Sequence, residues 1–124
     1  MDYPDDPRFK PYVLEDSYVL GVHVGMNWAV IELDACLSTE HPEPVGKREG
    51  EWAEFRPAQL WFKQAEIEYS PSGARPSLDA EDSWDYGHIH RFELRGSDEY
   101  LVEGEFGRLN VTARDVFVRE FADG

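Results

Sequence analysis

HIHRFELRGSDEYLVEGEFGRLNVTARDVFVREF, residues 88–121, is the stretch that decides the fold. Apolar and polar residues alternate along it with a period of two, which is typical of half-buried strands. Gly96-Ser97-Asp98 and Gly107 interrupt the alternation as short turns. The stretch therefore predicts an antiparallel meander with one buried and one charged face, followed by a separate last strand over 116–121.

A hairpin is predicted upstream of this meander. Alternating residues from Tyr18 to Val24 lead into a tight turn at Gly25-Met26-Asn27, and a second strand follows from Trp28 to Leu37. Every second residue of that strand is apolar, namely Ala29, Ile31, Leu33, Ala35 and Leu37. Strict alternation of this kind indicates a strand with one face against the core.

The middle of the chain contains two loops and two further strands. Residues 38–51 and 70–86 are rich in Pro, Gly and charged residues, which is typical of loops. A short strand is predicted over 52–55 and a longer one over 58–69, for which a short helix is the competing prediction. Leu60 and Phe62 occupy even-numbered positions, whereas Ala65 and Ile67 occupy odd-numbered ones. In a regular strand the two pairs would face opposite sides, so a bulge near Lys63-Gln64 is needed to keep all four on one face.

These elements predict an all-β domain over 12–124, preceded by a flexible acidic arm over 1–11 with three prolines. The expected architecture is one antiparallel sheet of about seven or eight strands, curled into a sandwich or a partly open barrel. A β domain with one short helix is the alternative.

The charge balance restricts the function. The 124 residues contain 12 Lys and Arg against 26 Asp and Glu, giving a net charge of −14. This charge argues against binding nucleic acid phosphates or anionic membranes, and it suits a cationic protein partner.

The one cysteine, Cys36, cannot form an internal disulfide, and no apolar run approaches 18 residues. A cytoplasmic location without a cofactor is expected, and a homodimer through sheet edges or loops stays open.

An acidic loop with aromatic residues is the first candidate site. Aromatic side chains supply contact area in protein interfaces, while carboxylates attract a basic partner. The predicted partner-binding residues are Asp79, Glu81, Asp82, Trp84, Asp85 and Tyr86. The competing interpretation is a solvated loop whose tryptophan covers one end of the core.

Three histidines are the second candidate site. The alternation places His88 and His90 on one strand face together with Phe92, so both imidazoles could reach one metal ion, with His23 as a third ligand. The pair is similar to the start of a cupin metal motif, in which a glutamate follows after four or five residues. Leu94 and Arg95 occupy those positions here. Two solvent-facing histidines near strand ends are the competing interpretation.

The remaining candidates are acidic pairs and tryptophans. Glu66/Glu68 and Glu103/Glu105 each share a strand face, as residues on the wet face of a sheet do. The four tryptophans could line an apolar pocket or form the core; they are Trp28, Trp52, Trp61 and Trp84. Because the order of residues alone indicates no nucleophile triad, and no phosphate loop or dinucleotide motif is present, an enzyme is the less favoured class.

One family resemblance accompanies these patterns. It consists of Glu15-Asp16-Ser17-Tyr18-Val19-Leu20-Gly21-Val22, the hairpin to Ala29–Leu33, the Leu60-Trp61-Phe62 strand and the C-terminal meander. In this pattern the chain resembles certain small bacterial β-rich proteins, some of which are immunity proteins that neutralise a toxin. The resemblance implies an antiparallel β domain that works by binding, and it carries over no catalytic residues.

The function expected from the sequence is an immunity-like, non-enzymatic domain that binds a cationic protein. A small β-barrel that binds an apolar ligand in a tryptophan-rich interior is the alternative. A metal-dependent β-barrel enzyme using His88 and His90 is the second alternative.

Overall fold

The computed structural model describes residues 6–39, 55–73, 77–78 and 84–121, with the backbone alone at 77–78 and 84–85. These residues contain eight strands and no helix. The strands are β1 (Tyr12–Val24), β2 (Trp28–Leu37), β3 (Phe55–Pro71), β4 (Ser77–Leu78), β5 (Trp84–Asp85), β6 (Ile89–Leu94), β7 (Glu99–Gly104) and β8 (Gly107–Glu120). Accordingly, the described residues include no helix that is long and apolar enough to span a membrane.

Six strands form one antiparallel sheet in the order β1-β2-β3-β8-β7-β6, and β4 pairs with β5 separately. The sheet curls into a half-barrel whose two edges touch where Tyr18 of β1 bridges His88 just before β6. At this seam the Val19 N–H donates to the Gly87 carbonyl and the Tyr86 N–H donates to the Val19 carbonyl, each at 2.9 Å. The predicted all-β class and single antiparallel sheet are confirmed.

The main sheet has six strands because two predicted boundaries are absent. The meander's last two predicted strands are one continuous strand, β8, of 14 residues. Likewise the predicted strand over 58–69 begins earlier, at Phe55, where the predicted short strand over 52–55 ends, and reaches Pro71. Residues 52–54 of that short strand lie outside the described residues. Both strands are long because each pairs with the other along almost its whole length.

The inner face of the half-barrel carries the core. The predicted apolar face of β2 is confirmed, since all five of its alternating residues are buried. Aromatic rings fill the interior: Phe62 and Phe92 each lie near Tyr100, with ring centroids 5.6 and 6.4 Å apart. The inward aliphatic residues surround them, among them Leu14, Val19, Leu33, Leu60, Ile89, Val102, Leu109 and Val116.

In both β3 and β8, the set of alternate side chains that points to the core switches at the same level of the sheet. Leu60 and Phe62 point inward, Lys63 and Gln64 are exposed, and Ala65 points inward again. Gln64 achieves this change with φ at 50°, a left-handed conformation that non-glycine residues rarely adopt. The change of facing at Lys63-Gln64 thus lies where the sequence predicts it, but it is not the predicted bulge, because the register to β8 does not shift there.

β8 compensates for the change in β3. Ala113 and Val116 are buried while Arg114 and Asp115 between them are exposed. The register between the two strands is therefore the same on both sides of Gln64. A parity break in one strand alone would shift the pairing by one residue and turn half of the core outward.

The histidine end of β6 differs from the predicted alternation. Ile89 pairs with Gly104 and Arg91 with Glu103, so His90 is an extra residue in a bulge. Ile89 and Phe92 are consequently both buried, whereas His90 is exposed. His88 and His90 are both exposed with adjacent rings, but the predicted placement of Phe92 on their face is wrong, because a bulge reverses the facing of everything after it.

A serine hydroxyl holds a second irregularity in β1. The register to β2 shifts between Val13 and Tyr18. Ser17, fully buried within this shift, donates to the Val13 carbonyl and accepts from the Cys36 N–H, both at 2.9 Å. The hydroxyl thus pairs an amide that the irregular ladder would otherwise leave without an acceptor.

Residues 6–11 differ from the flexible arm predicted over 1–11, of which 1–5 lie outside the described residues. They form a turn in which the Phe9 N–H donates to the Asp6 carbonyl at 3.0 Å. The Phe9 ring is 0% exposed and lies 5.2 Å from the Phe92 centroid. The segment is ordered because this large apolar ring closes the interior of the half-barrel.

We expect Phe9→Ala to lower the free energy of unfolding by about 3–5 kcal/mol, since it removes a fully buried ring and leaves a cavity. Urea unfolding followed by tryptophan fluorescence measures the change. Phe9→Leu should cost clearly less because it retains most of the volume. Equal and small losses for both variants would show that the ring does not close the core.

Gln64→Gly should stabilise the chain by about 1 kcal/mol, because glycine adopts a positive φ without steric cost. Arg119→Gly serves as the control, since Arg119 is an exposed residue inside β8. There, glycine should destabilise by about 0.5–1 kcal/mol. Thermal unfolding of both variants tests the pair, and a loss of stability in Gln64→Gly would contradict the left-handed geometry.

Candidate functional site

The predicted acidic loop falls only partly within the described residues. Asp79, Glu81 and Asp82 lie outside them, and Trp84 and Asp85 are described as the backbone of β5 paired with β4. Tyr86 is half-buried, packs against the core and joins the seam through its N–H. Its place at the seam gives Tyr86 a structural role, and the partner-binding role of the loop stays a prediction.

The three candidate metal ligands lie at two separate places. The His88 and His90 ring centroids are 5.4 Å apart, and the His88 Nδ1 is 2.9 Å from the Glu15 carbonyl. His23 is five residues beyond the Tyr18–His88 bridge along β1, or about 16 Å, and its Nε2 lies 3.3 Å from a Glu32 carboxylate oxygen. Within the described ranges no group of three or more His, Cys, Asp or Glu side chains could hold a metal ion.

The two tryptophans with described side chains lie on the outer face of the sheet. Trp28 and Trp61 alternate with the inward residues of β2 and β3, so they do not line the interior. Their ring centroids are 5.8 Å apart, and Trp61 stacks on Phe117 of β8 at 6.4 Å with 14° between the planes. We refer to Trp28, Trp61 and Phe117 as the aromatic patch.

The aromatic patch is partly covered and partly open. The Lys63 ammonium lies 5.4 Å from the ring centroids of both Trp61 and Phe117, a cation–π arrangement. Trp28 is 37% exposed, and Met26 in the neighbouring turn is fully exposed. Exposed apolar side chains grouped in this way are typical of binding surfaces rather than of an ordinary wet sheet face.

Arginines neutralise the carboxylates on one side of the outer face. Glu93 is 2.7 Å from Arg91 and 3.1 Å from Arg95, and Arg108 lies 3.1 Å from Glu103. The hydrogen bonds from Arg91 and Arg95 lower the pKa of the Glu93 carboxyl. Pairs this exposed are screened by solvent, so they contribute little to stability. They do cancel the charge of this part of the face.

Three other carboxylates have no such cation. Glu66 and Glu68 of β3 and Glu99 of β7 line one shallow depression of about 320 Å³, together with Asn110 and Thr112. Arg95 also lines it but is engaged with Glu93. None of the three glutamates forms an ion pair in the part of the chain that the structure describes. We refer to this feature as the carboxylate depression.

The sequence identifies the members of these surfaces but not their grouping. Glu66 and Glu68 are predicted to lie on a wet sheet face, and both are exposed. Glu99 joins them because β7 pairs with β8, where Glu99 lies opposite Thr112. Phe117 was not among the predicted site residues. The one available signal was the alternation along the strand, because Phe117 lies between the inward residues Val116 and Val118 and therefore points outward.

A partly buried polar network at the rim of the interior has every described member paired. The Tyr12 hydroxyl donates to a Glu120 carboxylate oxygen at 2.5 Å, and Arg56 pairs with the other oxygen at 2.9 Å. Burial raises the pKa of the Tyr12 phenol, and the hydrogen bond to Glu120 raises it further. Mutual pairing of this kind indicates a structural role.

Because the pKa of Tyr12 is higher in the folded than in the unfolded chain, its contribution to stability is complete below pH ~10. It is lost as the pH rises from there through the folded-state pKa. The stability of the wild-type chain should therefore fall more steeply above pH ~10 than that of Tyr12→Phe. Urea unfolding across this pH range measures both slopes. Parallel curves would contradict the raised pKa.

Comparisons with known proteins assign neither a family nor a function to the chain. No protein-family model matches the chain, and no curated protein or solved structure is significantly similar to it.

Proposed function

We propose that this chain is a non-enzymatic protein-binding domain that engages a cationic partner through the outer face of its sheet. The observation that carries the proposal is the carboxylate depression. Glu66, Glu68 and Glu99 line it and form no ion pair among the described residues, whereas Glu93 and Glu103 on the same face are paired with arginines, Arg95 at the depression being engaged with Glu93. A Lys or Arg side chain of a partner would supply the missing charge.

The net charge of the chain supports the same proposal. At −14, the field around the molecule attracts cationic proteins and repels a second copy of the chain. Long-range attraction of this kind accelerates association and weakens as salt is added. An immunity-like role, in which the cationic partner is a toxin, is the form of this function that the sequence resemblance suggests.

To test this function, the immobilised chain captures proteins at low salt, and each captured protein is purified and measured for binary binding. In the triple variant Glu66→Gln, Glu68→Gln, Glu99→Gln, we expect the association rate with the true partner to fall about tenfold or more. The salt dependence should fall with it, because three attracting charges are removed.

A control variant carries the same change in net charge elsewhere. Glu15→Gln, Asp16→Asn, Glu105→Gln replaces three exposed carboxylates outside the depression. It should bind almost as the wild type does. If the two triple variants weaken binding equally, the net charge of the chain, and not the depression, accounts for the attraction. If no purified protein binds in a salt-dependent way, the proposal fails.

A further inference from the structure

The aromatic patch and the carboxylate depression lie on one continuous surface. Both are on the outer face, and both are built mainly on the paired strands β3 and β8. Along β3 the outward residues pass from Trp61 through Lys63 to Glu66 and Glu68. A partner that reaches the carboxylates can therefore also contact the aromatic rings.

The distance between the two features restricts the partner. Glu66 and Glu68 are five and seven residues from Trp61 along β3, which corresponds to about 17–23 Å. An extended segment spans this distance in five to seven residues of its own, whereas a helix needs about 11–15. A single side chain cannot reach both places.

The charges along the path add a further restriction. Lys63 and Asp115 are opposite each other in the register of β3 and β8, between the patch and the depression, and both are exposed, with the Lys63 ammonium over the rings of the patch. The adjacent Arg114 is exposed as well, so this middle region holds two cations and one anion. A partner cation is therefore not attracted to the middle region, in contrast to the depression, where three carboxylates form no ion pair among the described residues.

We infer that the bound part of the partner is an extended segment with two defined contacts, an inference that rests on the proposed function. An aromatic or large aliphatic side chain packs against Trp28, Trp61 and Phe117. A Lys or Arg side chain five to seven residues away enters the carboxylate depression. The uncharged residues between them cross the region of Lys63, Arg114 and Asp115.

Each contact supplies a different part of the recognition. The apolar anchor displaces water from rings that remain partly exposed, and aromatic anchors of this kind dominate many interfaces. The cation sets direction and register, since it fits only at one end of the surface. Selectivity then depends on the spacing between the two, rather than on the positive charge of the partner alone.

Synthetic capped peptides test this inference directly. The probe has one Trp-Leu anchor, a six-residue Ser/Thr/Gly spacer and two arginines, and it is made in both chain directions. Binding is measured by NMR titration of the labelled chain and by isothermal calorimetry at low salt. We expect one direction to shift the amide signals of both the aromatic patch and the carboxylate depression.

Peptide controls separate spacing from composition. A peptide with the same residues but with the anchor next to the arginines should bind about tenfold more weakly. Replacing the anchor by Ser-Ser should have an effect of similar size. A helix-forming spacer of 13 residues that binds better than the six-residue spacer would overturn the extended conformation.

Chain variants separate the two surfaces. Phe117→Thr and Trp28→Ser should weaken the spaced peptide about tenfold each while leaving the anchor-free peptide unchanged. Leu20→Thr is the control, because it removes exposed apolar surface from the edge strand β1. Unfolding curves confirm that each variant is folded before binding is measured.

The outcomes distinguish this inference from the proposed function. If the glutamate variants weaken every arginine peptide but the aromatic variants and the spacing have no effect, the two-contact segment is wrong and cation binding stands. If no peptide shifts the depression and the glutamate variants also leave captured partners unaffected, both fail. If only the anchor contributes, the depression is not the cation site.

Discussion

The matched change of facing in β3 and β8 is the constraint on which the rest of this structure depends. Gln64 turns β3 through a positive φ, and Arg114 with Asp115 turn β8 at the same level. Since both strands change together, their pairing continues in one register from Ala58 to Pro71. The inner face thus stays apolar over the full length of the two longest strands.

The same constraint organises the outer face into two regions. Before the change, the outward positions of β2, β3 and β8 carry the aromatic patch, and after it those of β3 and β8 carry Glu66, Glu68 and Thr112. The long, paired strands hold both regions on one rigid support. Surfaces built on strands are positioned more precisely than surfaces on loops, so the spacing between the two regions is fixed.

Local interactions complete what the paired strands begin. Phe9 fills the open side of the interior, Ser17 satisfies the amide of Cys36, and the Tyr18–His88 bridge joins the two edges. Each involves residues far apart in the chain. Strand edges left without such partners expose backbone groups that favour aggregation, so these contacts also keep the curled sheet a defined unit.

Features that neighbouring residues set were predictable from the sequence, whereas features that depend on distant strand pairings were not. The hairpin of β1 and β2, the meander and the parity break at Lys63-Gln64 were predictable, because a period of two is visible in neighbouring residues. The reversed facing around His90 was not, since a bulge depends on how Ile89 and Arg91 pair with β7. The burial of Phe9 was missed for a similar reason, as nothing near it indicates a core partner.

The sequence by itself determined the all-β class, the apolar face of each regular strand and the acidic surface, because these follow from residue type and alternation. Only the tertiary structure decided which outward residues become neighbours. Glu99 meets Glu66 and Glu68, and Phe117 meets Trp61, through pairings between strands distant in the chain. Strand order and register are set by the packing of the whole core, which no local pattern encodes.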